Sequence, residues 1–207
     1  MTPEQITAFN QAVKDFTVAQ AAQQSGDNAT ALAKYEAALP AIRSAVHAQP
    51  TNIENVNFLA NALYAAAAAN GALNKPEAML ALFEEAAPHW RAVVAAKPAD
   101  AASKSVLAGM LMQLANAKLV KQDKAGAGPL YDESIALSRA VIAVKPADAP
   151  AKNMLLGALI GNSQANADPK IKDEAVAISK AMLADNSVDA VNRPNAQILA
   201  GTPTAGK

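Results

Sequence analysis

The sequence predicts an all-α protein built from about four tandem helix-turn-helix units, and three observations support this fold class. The composition favours helices, because 52% of the 207 residues are hydrophobic while only 4% are aromatic, and Ala, the strongest helix former, is abundant. One stretch of sequence recurs at a fixed offset of 48 residues, which indicates an internal repeat. Within each copy, apolar residues recur at helical spacing.

The repeat is anchored on Pro50, Pro98 and Pro146, each of which ends one copy. Counting back from these prolines aligns further residues of the same type, which are Tyr35, Phe83 and Tyr131; Arg43, Arg91 and Arg139; and Val46, Val94 and Ile142. A fourth copy follows at an offset of 41, which we interpret as a shortened loop between its two helices. The expected repeats therefore cover about residues 2–50, 51–98, 99–146 and 147–187.

The first copy predicts two helices joined by a tight turn. The helices run over residues 2–24 and 28–48, and Ser25-Gly26-Asp27-Asn28 provides turn-forming residues between them. Pro40 lies inside the second helix, and Pro88 occupies the same position in the next copy. An interior proline removes a backbone hydrogen bond and bends a helix, so we expect a kink at both. A break into two shorter helices is the alternative.

The second copy predicts one helix that begins at Thr51 and another that begins at Pro76. Thr51 can cap the first helix while Glu54 reaches back to the chain, which is the pattern of a capping box. Asn70-Gly71 ends this helix. A proline is favoured at the first position of a helix, so the second helix is expected to run from Pro76 to Pro98.

The third copy predicts a helix over residues 101–123, a break at the glycine- and proline-rich residues 125–129, and a second helix that ends at Lys145. The fourth copy predicts a first helix capped by Asp148, with Pro150 in its first turn, and a break at Asp168-Pro169. Its second helix is expected to end near Asp185. A short capping helix over 193–200 and a flexible tail over 201–207 are expected to follow.

The second half of each copy resembles the second helix of the tetratricopeptide repeat (TPR), in which small, large and small residues precede a proline. The matching residues are Ala38, Ile42, Ala45 and Pro50 in the first copy, Ala86, Trp90, Val93 and Pro98 in the second, and Ser134, Ser138, Val141 and Pro146 in the third. The resemblance implies a right-handed α-α superhelix, a TPR-like solenoid. The repeat period of the family is about 34 residues, which is shorter than the 48 residues of this chain. The helices of this protein would therefore be longer than those of the family.

The resemblance also implies a ligand groove lined by the first helix of each unit. Asn57 and Asn61 lie one helical turn apart, so their amides could bind an extended peptide backbone; the alternative is that both are solvated or cap local structure. Tyr64 and Met112 could form apolar pockets, or simply pack within the fold. Carried over position by position, the groove residues are Glu54, Asn57, Asn61, Tyr64, Ser105, Gly109, Met112, Asn153, Gly157 and Ile160.

The charged residues suggest a ladder between units rather than a ligand site. Arg43, Arg91, Arg139 and Lys180 could pair with Glu36, Glu84, Asp132 and Asp173 of adjacent units. The alternative is a solvated charged face, because exposed ion pairs stabilise little. Eighteen basic residues balance eighteen acidic ones and are interspersed with them, so the chain lacks the basic stripe that nucleic acids require. Nucleic acid is not an expected partner.

Catalytic and metal-binding chemistry finds no support in the sequence. There is no cysteine, which excludes disulfides and thiolate chemistry. The two histidines, His47 and His89, stand alone without the helical pairings of a metal site. Neighbouring carboxylates point in different directions on a helix, and no nucleophile, base and orienting group occur together. We therefore expect that the protein binds no cofactor and no metal ion and is not an enzyme.

These features favour a non-catalytic adaptor that binds a protein or peptide partner on its concave face. The alternative is a structural protein whose repeats stack between chains into a homo-oligomer. The apolar stretch around Ala65 to Ala69 is too short to cross a bilayer, so no membrane insertion is expected. The N-terminus lacks the basic and apolar segments of a signal peptide. A cytoplasmic location is therefore expected, and a periplasmic one stays open for a chain whose signal peptide was removed.

Overall fold

The computed structural model describes residues 1–166 and 168–201. This part of the chain contains helices and turns and no strand. Its contacts define two compact units, of which unit 1 covers Met1–Ala99 and unit 2 begins at Asp100. Unit 1 contains α1 (Pro3–Gln24), α2 (Asn28–Ala48), α3 (Ile53–Ala72) and α4 (Pro76–Ala96); unit 2 contains α5 (Ala101–Val120), α6 (Lys124–Val144), α7 (Ala149–Ala165), α8 (Pro169–Ala184) and α9 (Arg193–Ala200).

Within each unit, consecutive helices pack against each other, as the all-α prediction requires. No helix in residues 1–166 and 168–201 is both long enough and apolar enough to cross a lipid bilayer. The short helix α9 occurs where the capping helix is predicted, and Gly201 ends it with a φ of 69°. The rest of the predicted tail lies outside the described residues.

Three hairpin turns share one backbone conformation. Gly26, Asn74 and Gln122 have φ angles of 84°, 55° and 62°, and they lie 48 residues apart. At each of them the N–H donates to the carbonyl three residues back, and the following N–H donates to the carbonyl five residues back. This is the Schellman pattern that closes a helix with one left-handed residue. The backbone therefore follows the same 48-residue period as the sequence.

The predicted capping box of the second copy is wrong. The cap of α3 is Asn52, whose Oδ1 accepts hydrogen bonds from the backbone N–H groups of Glu54 at 3.1 Å and Asn55 at 3.2 Å. One carboxamide oxygen thus satisfies two of the free N–H groups at the helix start. Thr51 precedes this cap and belongs to the turn.

The predicted break at residues 125–129 is also wrong, because this segment lies inside α6. The chain turns earlier, at Gln122, and Asp123 then caps α6 by accepting from the N–H of Gly126 at 2.9 Å. Pro129 is the sixth residue of α6 and lies inside the helix, where it removes one backbone hydrogen bond without ending the helix. Here the cap and the left-handed residue determine the helix boundary, and the glycine-rich composition of the segment does not.

Pro40 and Pro88 lie inside the continuous helices α2 and α4. The alternative in which the chain breaks there into shorter helices is therefore wrong, and the kink stays a prediction. In the fourth copy, the interpretation of a shortened loop is wrong as well. Three residues separate α7 from α8, the same number as between α5 and α6. The helices themselves are shorter, with 17 and 16 residues in place of 20 and 21.

Aromatic rings contact one another across the first three helices of unit 1. Phe16 on α1 lies between two rings, with centroid distances of 5.4 Å to Tyr35 on α2 and 5.0 Å to Phe58 on α3. Phe9 meets Phe58 edge-on at 5.7 Å, and the hydroxyl of Tyr35 donates to Gln23 at 2.9 Å. These contacts join the first three helices, so the first copy packs on the helix that opens the second.

The core of unit 2 is centred on Tyr131 of α6, which is fully buried. Its hydroxyl donates to Oδ1 of Asn116 on α5 at 2.6 Å, and its ring faces Gly161 of α7. A second cluster surrounds Leu156 and joins α7 to the C-terminal helices; its members are Leu156, Ile160, Met182, Val188 and Ala196. The chain after α8 is therefore packed onto the first helix of the fourth copy.

Candidate functional site

Four of the candidate groove residues lie on α3 of unit 1. Asn61 donates through Nδ2 to the backbone oxygen of Asn57 at 2.8 Å and to its Oδ1 at 3.1 Å. The two amides, predicted to bind a ligand together, therefore bind each other in the free protein. Glu54 is exposed and pairs with Lys97 at 3.1 Å.

Tyr64 packs within the fold and is also partly exposed. Its ring stacks on Phe83 of α4, with a centroid distance of 5.8 Å and an angle of 24° between the planes. The residue nevertheless keeps 36% of its surface exposed. One face of the ring therefore packs within unit 1, while the rest is open to a partner.

In unit 2, four of the six candidate residues line a groove between α5 and α7, which we call the α5–α7 groove. Met112 of α5 lines two cavities in this groove, of about 280 Å³ and 550 Å³. Gly157 and Ile160 line the smaller cavity, and Asn153 lines the larger one. Both cavities are also lined by Val191 and Asn192. The C-terminal region of the chain therefore helps to shape the groove.

Asn153 holds that C-terminal region in place. Its Nδ2 donates to the carbonyl of Ser187 at 3.0 Å and to Ala149 in its own helix at 3.1 Å, and its Oδ1 accepts from the N–H of Asp189 at 2.8 Å. The side chain of Asn192 donates to the backbone oxygen of Asn153 at 3.0 Å. Both amide hydrogens of Asn153 are thus used within the fold, and none is left to donate to a ligand.

Gly157 allows Asn192 to lie close to the backbone of α7. A Cβ at Gly157 would lie 2.9 Å from Oδ1 of Asn192 and 3.2 Å from the sulfur of Met112. The absence of a side chain therefore gives the segment before α9 room to lie across the groove. Ile160 is only 6% exposed, and it belongs mainly to the cluster around Leu156.

The two remaining candidates, Ser105 and Gly109, are partly buried in α5. Gly109 faces the end of the Met154 side chain. Ser105 lines a cavity of about 40 Å³ with Ser138, Pro150, Ala151 and Met154. The hydroxyl of Ser138 is buried there and has no hydrogen-bond partner in the described chain. This cavity is large enough for a water molecule, which would satisfy the Ser138 hydroxyl.

Several groove residues were missed by sequence reasoning. Val120 and Val191 are 81% and 84% exposed, and both line the smaller cavity together with Asn116, Gln164 and Asn195. Asn116 and Val120 follow Met112 at helical spacings of four and eight residues, and Gln164 follows Gly157 at seven. Extending the carried-over positions along the same helical face would have identified these three residues. No local signal marks Val191 or Asn195, which are brought there by folding.

The charged ladder forms between copies of the repeat, but with different acidic partners. Arg43 makes a bidentate pair with Glu85 at 2.7 and 2.8 Å, and Arg139 pairs with Glu174. The predicted partners Glu84 and Asp173 are both one residue earlier. One step rotates a side chain by about 100° around a helix, so Glu84 is exposed while Glu85 faces α2. All four side chains are at least one third exposed, and each pair contributes at most about 1 kcal/mol.

His89 of α4 is half-buried, and burial lowers the pKa of its imidazole below the ordinary 6.5, although the nearby Glu85 opposes this shift. The neutral form is therefore favoured in the folded protein. As the pH falls from about 7.5 to 5.5, the unfolded chain takes up the proton first, so the folded state loses stability.

We expect His89→Gln to reduce this loss, as measured by urea unfolding at several pH values within that range. His47→Gln is the matched control, because His47 is exposed. An equal slope of unfolding free energy against pH in the wild type and His89→Gln would contradict the assignment.

Within residues 1–166 and 168–201, no three His, Asp or Glu side chains lie close enough together to share a metal ion. The polar side chains of the α5–α7 groove are carboxamides, the phenol of Tyr131 and the carboxylate of Asp189, which are suited to hydrogen bonding. No protein-family model matches this chain, and no curated protein matches it.

Proposed function

We propose that this protein is a non-catalytic adaptor of the TPR-like type, a right-handed α-α superhelix of about four repeats that binds a peptide or partner helix on its concave face. Two features support the repeat. The left-handed turn residues Gly26, Asn74 and Gln122 are 48 residues apart. An ion pair joins two neighbouring copies within each unit, and the two pairs occupy equivalent repeat positions: Arg43 with Glu85 in unit 1 and Arg139 with Glu174 in unit 2. A helix pair of this kind buries its apolar face only by stacking on a neighbour.

The α5–α7 groove is the observation that supports binding. It contains a cavity of about 550 Å³, within the range of sites that hold ligands. Its lining combines apolar side chains with amides, which fix the orientation of a bound chain. Tyr64 gives unit 1 a comparable partly exposed apolar residue on α3.

Site-specific photocrosslinking in cells tests this proposal. A photoreactive amino acid would replace Tyr64 on α3 or Gln113, which lines the larger cavity of the groove. Lys172, an exposed residue of α8 outside both cavities, is the matched control position. We expect one and the same partner to be crosslinked from residues 64 and 113 and not from residue 172. Equal labelling at all three positions, or none at any, would contradict a partner that binds at residues 64 and 113.

Self-assembly is the second candidate, because α1 exposes apolar side chains that no other described helix covers. Ile6, Val13 and Val18 are 47%, 41% and 48% exposed. An unpaired repeat face of this kind promotes stacking between chains. The solution mass across a concentration range distinguishes the candidates. A stable oligomer that Val13→Lys dissociates favours assembly, and a monomer at all concentrations favours the adaptor.

A further inference from the structure

The smaller cavity of the α5–α7 groove has a lining that restricts what it can bind. Four carboxamides line it. Asn192 donates to the backbone oxygen of Asn153, and the other three come from three different helices, namely Asn116 on α5, Gln164 on α7 and Asn195 on α9. Val120 and Val191, the most exposed of the large apolar residues in the described chain, also line it. We call this smaller cavity and the residues that line it the amide pocket.

The carboxamides of Asn116, Gln164 and Asn195 have hydrogen-bonding capacity to spare. The side chains of Gln164 and Asn195 are exposed and form no hydrogen bond within the described residues. Asn116 is oriented by Tyr131, whose hydroxyl donates to its Oδ1 at 2.6 Å. This bond occupies the oxygen and leaves Nδ2 of Asn116 as a positioned donor. The pocket therefore offers both donors and acceptors, which are the two functions that a peptide unit carries.

Charge and shape exclude other ligand classes. No residue that lines the pocket carries a charge at neutral pH; burial raises the pKa of Tyr131 to about 12, so its phenol stays protonated. An ionic ligand would lose its hydration here without gaining a counter-charge. Tyr131 is also the one aromatic residue in the lining, and it is fully buried, so the pocket lacks the exposed ring on which nucleic-acid bases stack.

The size of the pocket indicates an anchor point along a bound chain. Its volume of about 280 Å³ lies just below the range of pockets that enclose a whole small ligand. It can hold an apolar side chain with the adjacent backbone. Two exposed valines at such a site gain stability when an aliphatic group removes them from water.

We propose that the amide pocket binds an uncharged, extended peptide segment of a partner protein, with one aliphatic side chain placed between Val120 and Val191. The carboxamides of Asn116, Gln164 and Asn195 hydrogen-bond the backbone on either side of that residue. This inference rests on the proposed adaptor function and names the chemistry of its partner.

The test uses the full chain and a phage-displayed library of random nine-residue peptides. We expect the selected peptides to share a Val, Leu, Ile or Met flanked by uncharged residues. A synthetic peptide with the consensus sequence should bind Val120→Ser/Val191→Ser at least about tenfold more weakly than the wild type, since two apolar contacts are lost. Val144→Ser/Ile198→Ser is the matched control, because these residues are 65% and 67% exposed in unit 2 and lie outside the pocket. The control should bind with unchanged affinity.

A second pair of variants tests the carboxamides. Gln164→Glu places a negative charge in the pocket at constant size, and we expect it to weaken binding of the neutral consensus peptide several-fold by charge burial. Gln24→Glu at the end of α1 makes the same change on an exposed surface and should have no effect. All the substituted side chains are exposed, so thermal melting followed by circular dichroism should be unchanged in every variant.

The following outcomes would each contradict the proposed ligand of the amide pocket for a different reason. Selected peptides that bind the valine variant normally but lose affinity on Asn57→Ala/Asn61→Ala would place the site on α3, which leaves the adaptor function standing without the pocket. A consensus dominated by charged residues would contradict the neutral ligand. Concentration-dependent dimerisation abolished by Val120→Ser/Val191→Ser would show that a second copy of this chain is the occupant. A selection without any enriched peptide would remove both the pocket and the adaptor function.

Discussion

Replacing Leu107 with Asp is expected to lower the free energy of unfolding by about 4 kcal/mol or more, because it removes a buried apolar side chain and buries an unpaired charge. Leu107 lies in α5 and is only 1% exposed. The next residue, Ala108, accepts a hydrogen bond from the hydroxyl of Ser134 on α6 at 2.9 Å. Since position 107 is almost fully buried, a carboxylate there would lose its contact with water.

Urea unfolding and amide hydrogen exchange measure this effect. We expect amides of α5, α6 and α7 to lose most of their protection in Leu107→Asp. Leu107→Met, a change that nearly conserves volume, should cost less than about 1.5 kcal/mol. Val144→Asp, at a site that is 65% exposed, controls for the added charge. A Leu107→Asp variant as stable as Val144→Asp would show that the side chain is not confined in the core.

The repeat offset predicted more of the fold than local composition did. Shifting the first hairpin turn, residues 25–27, by 48 positions leads to residues 73–75 and 121–123, which are the turns of the structure. The glycine- and proline-rich segment 125–129 suggested a different boundary. It failed because the cap Asp123 sets the start of α6, and α6 continues through Pro129 as α2 and α4 continue through Pro40 and Pro88. Long-range periodicity was therefore the more reliable signal.

Helix caps were harder to predict because neighbouring residues compete for the role. Thr51 and Asn52 both have oxygens that can accept from a helix N-terminus. The structure uses Asn52, since its carboxamide reaches two backbone N–H groups at once. Such a choice depends on the backbone angles of the preceding turn, which the residue types alone do not determine.

The candidate site was predictable only where it lies along a single helix. Met112 and Gly157 were identified from their repeat positions and line the α5–α7 groove. Val191, Asn192 and Asn195 come from a part of the chain beyond the last repeat, and packing around Leu156 brings them to the groove. Tertiary contacts between distant residues of this kind leave no local pattern in the sequence.

A residue of the third copy that departs from the repeat pattern lies beside a small cavity. Ser138 occupies the position that Ile42 and Trp90 fill in the first two copies. Its smaller side chain leaves the cavity of about 40 Å³ beside Ser105 and Met154. A departure from the pattern of the first two copies thus appears in the fold as a local loss of packing.

Substitution of Gly161 by Ala is expected to destabilise unit 2 by about 2 kcal/mol, although alanine favours helices over glycine by about 1 kcal/mol. A Cβ at Gly161 would overlap the ring of Tyr131. This ring is fully buried and its hydroxyl is bound to Asn116, so it cannot move aside without breaking that bond. The steric cost should therefore exceed the gain in helix propensity.

Gly109→Ala is the matched control, because it changes a glycine inside α5 of the same unit. There a Cβ would meet only the end of the flexible Met154 side chain, at 3.0 Å, so we expect a neutral or slightly stabilising effect. Thermal or urea unfolding of both variants measures the difference. Combining Gly161→Ala with Tyr131→Ala separates the ring clash from any effect on the helix itself. If the ring is the cause, the alanine at 161 becomes neutral or stabilising once the ring is absent, and the two substitutions are strongly non-additive. An equal cost of Gly161→Ala with and without the ring would mean that the helix, and not its contact with Tyr131, requires glycine.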